Sequence, residues 1–249
     1  MSFENLIPLV VPLAYALLLF AEMGARGRSF PKVRYWTALG IVFFAVLLAL
    51  SVVAPLILPI AWLDEHRVFN LTNLGLLGVI PALLTTTFVN YWLHRAEHRF
   101  DWMWRSMHQL HHSALRVDIA GAFITHPTEM IVKLLLGATI GTFVLGLDPA
   151  AVALASTIAA LLSMFQHWNV RTPRWLGFLV QRPESHCLHH ERGVHARNFG
   201  DLPLWDMIFG TYANPPTFEG EVGFDESAAK RFGAMLLMRD VSGPARESA

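Results

Sequence analysis

Apolar residues in this chain occur in long blocks, without the 3.6-residue period of an amphipathic helix or the alternation of a half-buried strand. Five blocks stand out, with approximate limits at residues 6–21, 37–62, 71–93, 127–147 and 149–165. A helix that crosses a bilayer needs roughly 20 apolar residues, with a range of about 17–25. The second, third and fourth blocks reach that length, whereas the first and fifth are marginal. Because only Asp148 separates the last two blocks, they could form a hairpin that enters the bilayer without crossing it.

The overall composition supports insertion into a membrane. Hydrophobic residues make up 54% of the 249 residues and charged residues only 15%, whereas about a quarter of the residues in a soluble domain are charged. Five buried helices in a soluble protein of this length would leave too little polar surface to cover them. We therefore predict an all-α integral membrane protein with four to five transmembrane or deeply inserted helices and a cytosolic helical cap.

Basic residues are distributed unevenly among the segments between the blocks. Seventeen of the 19 Lys and Arg residues follow the first, third or fifth block, and the positive-inside rule assigns these segments to the cytoplasm. We expect the N-terminus outside and residues 94–125, with everything after residue 167, in the cytosol. The excess of arginine over lysine suggests a bacterial cytoplasmic membrane. The balanced net charge excludes a nucleic-acid-binding domain built on a basic field.

Histidine is frequent and clustered. Of the 12 histidines, eight fall in one H-x-x-x-H motif at 94–98 and two H-x-x-H-H motifs at 108–112 and 186–190. A single H-x-x-H-H motif is expected only ~0.03 times by chance at this histidine content. In a helix, residues three or four positions apart share a face, so each motif can direct several imidazoles at a common point. Imidazole nitrogen is a good ligand for Fe, Zn, Cu and Ni.

These spacings predict a metal centre with two ions. One ion takes about four to six ligands, and eight to ten histidines therefore imply a pair. Nearly all ligands would be neutral, which favours bound oxygen species and the oxidation of an unactivated C–H bond in a lipid. The eight histidines of the three motifs are His94, His98, His108, His111, His112, His186, His189 and His190.

Metal-bound imidazoles also need hydrogen-bond partners that orient their second ring nitrogen. Polar residues near the histidine motifs are candidates for this role as a group. They are Glu97, Asp101, Glu129, Glu184, His195, Asn198, Asp201 and Asp206.

Taken in order, these motifs resemble the sterol desaturase / fatty acid hydroxylase superfamily. The similarity covers residues 90–212 and includes an H-P-x-E element at 126–129 and a Q-H-W-N element at 166–169. It ends with N-F-G-D-L-P-L-W-D-M-I-F-G-T-Y at 198–212. The resemblance implies a membrane-bound non-haem di-iron oxygenase with the eight histidines as iron ligands. It also implies that His167 and His126 complete the ligand set.

The resemblance further implies O2 as co-substrate and a separate electron-donor protein, either cytochrome b5-like or a ferredoxin with its reductase. The substrate would be a lipid from the bilayer, such as a sterol or a fatty acyl chain. Hydroxylation and desaturation share the first C–H abstraction, and the sequence favours neither. Zinc could replace iron in purified protein, since Zn²⁺ outcompetes Fe²⁺ for imidazole sites.

Two other functions compete with this interpretation. H-R-A-E-H at 94–98 fits the H-x-x-E-H pattern of a zinc metallopeptidase, with Glu97 as general base, but that function leaves both H-x-x-H-H motifs unused. A metal transporter would place ionisable groups at the middle of its membrane spans, whereas these histidines lie at the ends of the blocks.

We expect one domain over residues 1–249. Its successive parts are the N-terminal transmembrane helices (1–93), the first two histidine motifs (94–126), a helical hairpin (127–166), the third motif and cap (167–212) and a polar C-terminal tail (213–249).

Overall fold

Five long helical segments dominate the computed structural model, which describes residues 3–24 and 26–242. Each is long and apolar enough to cross a membrane. The first and fifth blocks, marginal by sequence, form helices of 22 and 19 residues. The described residues contain no strand beyond one isolated bridge between Glu191 and Val222. The predicted all-α membrane fold is therefore confirmed, and the chain is a multi-pass membrane protein. The five segments are Leu6–Gly24, Trp36–Ala54, Thr72–Arg99, Pro127–Val144 and Pro149–His167.

Short helices and turns connect and cap the long ones. The α-helices are α1 (Phe3–Gly24), α2 (Trp36–Ile57), α3 (Ile60–Glu65), α4 (Val79–Arg99), α5 (Asp101–Met103), α6 (Gln109–His112), α7 (Pro127–Ala138), α8 (Pro149–His167), α9 (Pro183–His189), α10 (Pro203–Phe209), α11 (Glu226–Ala229) and α12 (Phe232–Leu236). The 3-10 helices are Thr72–Gly78, Ile119–Gly121 and Arg174–Phe178, and the π-helical turns are Trp104–His108 and Thr139–Val144.

Proline sets the start of four helices near the histidine motifs. Pro127, Pro149, Pro183 and Pro203 each occupy the first helical turn. Proline is favoured there because the missing N–H would have no partner inside the helix and the fixed φ already matches helical geometry. These four helices therefore begin at positions fixed by local chemistry.

Polar contacts tie together the helix ends that the charge distribution assigns to one side. The Glu22 carboxylate, at the end of α1, accepts from the backbone N–H of Asn169 at 2.7 Å and of Ile119 at 3.3 Å. At the start of α2, the Trp36 indole N–H donates to Asp118 at 2.8 Å. The loop before α7, the end of α1, the start of α2 and the end of α8 therefore meet at one end of the bundle.

The opposite end is closed by backbone contacts between two connections. The Val68 N–H donates to the Phe143 carbonyl at 2.8 Å, and the Phe69 N–H donates to the Val144 carbonyl at 3.0 Å. This end holds few basic residues.

Aromatic packing fills the bundle, and its outer surface is apolar. Tyr15 on α1 stacks on Phe44 of α2 with ring centroids 4.1 Å apart, and Phe44 in turn packs against Phe123 at 5.3 Å. Outward-facing side chains such as Phe20 and Leu56 are 76% and 79% exposed. An exposed apolar surface of this kind suits contact with lipid.

The C-terminal segment, expected to be a polar tail, is folded onto the second histidine motif as far as residue 242. The Gln109 amide donates to the Arg239 carbonyl at 2.8 Å, and its side-chain oxygen accepts from the Val241 N–H at 3.2 Å. Met235 is completely buried. Residues 243–249 of the expected tail lie outside the described part of the chain.

Candidate metal centre

Nine histidines from four parts of the chain converge at one end of the bundle. They form two groups, and within each group one potential ligand atom per residue lies within 4.8 Å of the others. Group 1 consists of His94, His98, His108, His112 and His189. Group 2 consists of His111, His167, His186 and His190.

Each H-x-x-H-H motif contributes to both groups. His108 and His112 belong to group 1, whereas His111 belongs to group 2. The third motif is divided in the opposite sense, since only its middle histidine, His189, joins group 1. An α-helix turns about 100° per residue, so positions i+3 and i+4 project about 100° apart around the axis. The pairs four residues apart therefore share a group, and the remaining histidine reaches the other one.

Short distances between ring nitrogens fit shared metal ions. In group 1, the Nε2 atoms of His94 and His108 are 2.8 Å apart, and those of His112 and His189 are 3.0 Å apart. Three Nε2 pairs in group 2 are separated by 3.1 to 3.3 Å. Adjacent ligands in a six-coordinate shell with bonds of about 2.1 Å would lie about 3.0 Å apart.

In four of the nine histidines the second ring nitrogen points towards a backbone carbonyl. The Nδ1 of His94 lies 2.6 Å from the Phe199 carbonyl, and the Nδ1 of His189 lies 2.7 Å from the Arg197 carbonyl. Two Nδ1 atoms of group 2 lie 2.7 and 3.2 Å from carbonyls. A carbonyl can only accept, so each Nδ1 carries the proton and each Nε2 keeps a lone pair for a metal.

Four buried imidazole nitrogens of the two groups have no hydrogen-bond partner among the described residues, namely the Nε2 of His98 and the Nδ1 atoms of His112, His186 and His190. Buried polar atoms are normally paired, and a metal ion in group 1 would satisfy the Nε2 of His98. The donor chemistry, the spacing and this atom together fit two metal ions.

Two carboxylates predicted from the sequence face a group 1 histidine. The Nδ1 of His108 lies 3.2 Å from Glu129 and 3.5 Å from Glu97, and both carboxylates are buried. Glu129 also accepts from the Thr125 hydroxyl and the Lys133 ammonium. Glu129 therefore holds the His108 ring in the orientation that leaves its Nε2 free for a metal.

Asp206 and Asn198 act on the histidines through the backbone. Asp206 accepts from the N–H groups of Phe199 and Gly200, both at 2.8 Å, and so fixes the carbonyl that accepts from His94. Asn198 adopts a positive φ of 57°, and its amide nitrogen donates to the Ser185 carbonyl at 2.9 Å. A left-handed backbone is more accessible to asparagine than to most residues.

Glu184, Asp101 and Asp201 lie outside both groups. Glu184 accepts from the Thr172 N–H at 3.0 Å and pairs with Arg28 at 2.8 Å, so it anchors the start of α9. Asp101 is exposed at the start of α5. Asp201 accepts from the Gln166 amide at 3.0 Å.

Two histidines near the groups have other contacts. His126 caps α7 by accepting from the Thr128 N–H at 3.3 Å, and its Nε2 lies 3.2 Å from the Leu236 carbonyl. The structure does not bring His126 into either group. The His195 ring lies 4.9 Å from that of His112, beside group 1 and not within it.

Burial keeps histidines of both groups neutral. Burial, reinforced by neighbouring imidazoles, holds the pKa values of His108, His112 and His186 well below the ordinary value. Burial also lowers the pKa of His189 to about 3. These imidazoles are unprotonated near neutral pH, which is the state that binds metal.

A cavity of about 250 Å³ adjoins both groups. Histidines of both groups line it, and much of the remaining wall is apolar, including Leu134 on α7 and Ala159 on α8. Asn90 and Lys133 also line it. Neither residue belongs to a histidine motif, although a lone lysine inside an apolar block is itself a signal of function. The cavity can hold an apolar chain against the histidine groups.

Comparison with known sequences shows a family match over the region that contains both histidine groups. The sequence model described as fatty acid hydroxylase matches residues 79–211, more than half of the chain. The match includes all nine histidines of the two groups. No solved structure matches the chain.

Three relatives show how far the similarity extends. An ornithine lipid hydroxylase from Rhizobium tropici is 30% identical over 64% of this chain and 49% of its own length. Sphinganine C4-monooxygenase 1 from Arabidopsis thaliana is 26% identical over 68% of this chain and 66% of its own length. An alkylglycerol monooxygenase from Homo sapiens is 27% identical over 60% of this chain and 34% of its own length. The chain thus spans between about a third and two thirds of the length of these relatives.

Proposed function

Because the chain belongs to the fatty acid hydroxylase family, we propose that it is a membrane-embedded di-iron enzyme that uses O2 to hydroxylate a lipid. The observation that carries this proposal is the pair of buried histidine groups lining one largely apolar cavity. The relatives described above are a hydroxylase and two monooxygenases, which favours hydroxylation over desaturation for this chain.

The nine histidines are the proposed ligands, five for one iron ion and four for the other. Bound iron would supply the activation of O2 and the oxidation of a C–H bond, which protein side chains alone cannot perform. Iron is preferred over zinc because zinc has no redox chemistry.

The chain's own residues bind the lipid, orient the ligands and exclude water. Apolar side chains such as Leu134 line the cavity beside the histidines and would hold the hydrocarbon chain there. Glu129 fixes the ring of His108, and the backbone held by Asp206 fixes that of His94. Such partners of metal ligands maintain ligand geometry through the reaction.

The proposed topology places the N-terminus outside and the metal centre and C-terminus in the cytosol, in a bacterial cytoplasmic membrane. The distribution of basic residues supports this orientation. Electrons would then come from a separate cytosolic donor, either a cytochrome b5-like protein or a ferredoxin with its reductase.

The geometry of the histidine groups does not favour a metallopeptidase. His94 and His98 belong to a group of five imidazoles, whereas a catalytic zinc keeps three protein ligands and an open position. Glu97, the general base of that alternative, is fully buried and faces the Nδ1 of His108. A transporter is similarly disfavoured, because both histidine groups lie together at one end of the bundle.

The test is anaerobic reconstitution of the full chain with Fe²⁺, followed by measurement of iron content, O2 consumption and lipid mass. We expect about two irons per chain, since one ion binds about four to six ligands, and a lipid that gains one oxygen. His112→Ala and His186→Ala, one in each group, should each abolish turnover. His66→Ala is the matched control, because His66 is exposed and stacks on Trp62 at the opposite end of the bundle. Full activity with a single zinc ion would overturn the proposal, and loss of two hydrogens would make the enzyme a desaturase.

A further inference from the structure

The cavity beside the histidine groups carries one positive charge at a position that the metal centre does not explain. Among the residues lining the cavity, Lys133 is the only lysine or arginine. It lies within the span Pro127–Val144, and its side chain is 39% exposed. An ionisable residue within a membrane span is costly and usually has a function.

Lys133 contacts one carboxylate and has hydrogen-bonding capacity left. Its ammonium donates to Glu129, four residues earlier on α7. An ammonium has three N–H donors and no acceptor, so this contact leaves two donors at the cavity wall. Glu129 also accepts from the Thr125 hydroxyl and lies against the His108 ring, and it therefore links the lysine to the metal centre.

An acceptor on α4 also faces this cavity. Asn90 lines the cavity, and its side-chain oxygen is buried without a hydrogen-bond partner among the described residues. Asn90 lies one helical turn before His94, and Lys133 lies one turn beyond Glu129. Each is therefore displaced about 6 Å along its helix from a residue at the metal centre. Both residues line one cavity of about 250 Å³, so a lipid bound in it lies beside both.

The hydrogen-bonding groups of the two residues define what fits between them. Lys133 can only donate and the Asn90 oxygen can only accept, so the bound group needs both an acceptor and a donor. An amide or a hydroxyl offers both, whereas a carboxylate offers only acceptors.

We propose that Lys133 and Asn90 bind an uncharged amide or hydroxyl of the lipid substrate and thereby fix which carbon is oxidised. The inference rests on the proposed function and names the substrate class of the same site. A single carboxylate separates the Lys133 ammonium from the imidazole of His108. The carbon that is oxidised therefore lies close to the polar group of the lipid. Its position along the chain is fixed relative to that polar group and not relative to the terminal methyl group.

The experiment uses the full chain in lipid nanodiscs, loaded with iron and supplied with a chemical reductant. The probes are saturated N-methyl amides of three chain lengths, long-chain 1,2-diols, an n-alkane and a free fatty acid. Mass-spectrometric fragmentation locates the added oxygen. We expect oxidation of amides or diols at one carbon counted from the polar group, whatever the chain length. Comparing the amide probes with the diol probes shows which of the two polar groups the site binds.

Substitutions test the two residues separately. Lys133→Met and Asn90→Leu should each raise KM about tenfold, as expected for a lost hydrogen bond to a charged or buried group, and should scatter the position of oxidation. Lys133→Arg should keep the wild-type position. Lys230→Met is the matched control, because Lys230 forms the same i,i+4 pair with Glu226 on the exposed surface. A merely structural role for Lys133 would lower activity without moving the added oxygen.

A binding measurement without iron separates recognition from turnover. The probe amide should raise the melting temperature of the metal-free wild type and of Lys230→Met, but not that of Lys133→Met or Asn90→Leu. Oxidation of the alkane or of a membrane lipid extract, with no preference for amides or diols, would overturn the inference and leave the proposed function intact. If Lys133→Met and Asn90→Leu both oxidise the lipid at the wild-type position, the inference is also overturned and the proposed function stands. If no probe and no lipid extract is oxidised, the proposed function is wrong and the inference falls with it.

Discussion

At the scale of single residues, the metal centre depends on which nitrogen of each imidazole is engaged. Backbone carbonyls take the Nδ1 protons of His94 and His189, which leaves both Nε2 atoms for metal. The position of the Phe199 carbonyl depends on Asp206, which accepts from the Phe199 and Gly200 N–H groups. We therefore expect residues that do not touch a metal to contribute to its affinity.

Asp206→Ala should reduce metal affinity about 10- to 100-fold, the usual effect of losing a residue that orients a ligand. It should also destabilise the fold by about 2–3 kcal/mol, because buried N–H donors lose their acceptor. Iron content after dialysis and thermal unfolding measure the two effects. Asp225→Ala is the control, since Asp225 caps the exposed α11 and its loss should leave iron content unchanged. Unaltered iron binding in Asp206→Ala would contradict this account.

Protonation should destabilise the metal-free protein. Burial lowers the pKa of His189 to about 3, whereas a histidine in the unfolded chain has a pKa of about 6.5. Between these values the unfolded state binds more protons, so stability falls as the pH falls below about 6.5. The melting temperature of the metal-free protein should be lower at about pH 5.5 than at about pH 7.5. A melting temperature that is constant or rises on acidification would refute this prediction.

At the scale of helices and turns, close backbone approach positions the loop between the second histidine motif and α7. A Cβ atom at Gly40 of α2 would lie 2.1 Å from the Ala120 carbonyl, and one at Gly121 would lie 2.8 Å from the Trp36 ring. Only glycine lets α2 pack this closely against the 3-10 turn. The loop ends at His126, so this contact helps to fix where α7 begins.

Gly40→Ala should therefore destabilise the protein by about 1–3 kcal/mol, the cost typical of overpacking. Gly24→Ala is the matched control, since a Cβ there meets nothing within 4 Å and alanine favours helix. Thermal unfolding in detergent compares the two variants with the wild type. Equal melting temperatures for Gly40→Ala and Gly24→Ala would show that close packing of α2 against the 3-10 turn does not contribute to stability.

At the scale of the whole molecule, helix ends separate into two surfaces. Glu22 joins the end of α1 to the segments that flank the histidine motifs, whereas Val68 and Phe143 join connections at the opposite end. The proposed orientation assigns the first surface to the cytosol. The single cysteine, Cys187, is buried, and burial raises its pKa to about 12, so the wild type provides an unreactive background for thiol labelling.

Cysteine accessibility tests this orientation. In intact cells, Glu65→Cys should react with a membrane-impermeant maleimide, because Glu65 is exposed at the proposed outer end. Ser227→Cys, exposed in the C-terminal segment, should react only after permeabilisation. The opposite labelling pattern would reverse the topology, while leaving the metal centre as described.

The sequence alone determined the inserted helices and eight of the nine histidines that the structure brings together, and the family resemblance added His167. The helices and the eight histidines depend on local patterns, namely block length and the spacing of three or four residues in a helix. The tertiary structure decided which group each pair of histidines joins, since this depends on how α4, α6, α8 and α9 face one another. It also directed His126 to Thr128 and the Leu236 carbonyl. Finally, it brought Asn90 and Lys133 into one cavity, because residues distant in sequence meet only through packing.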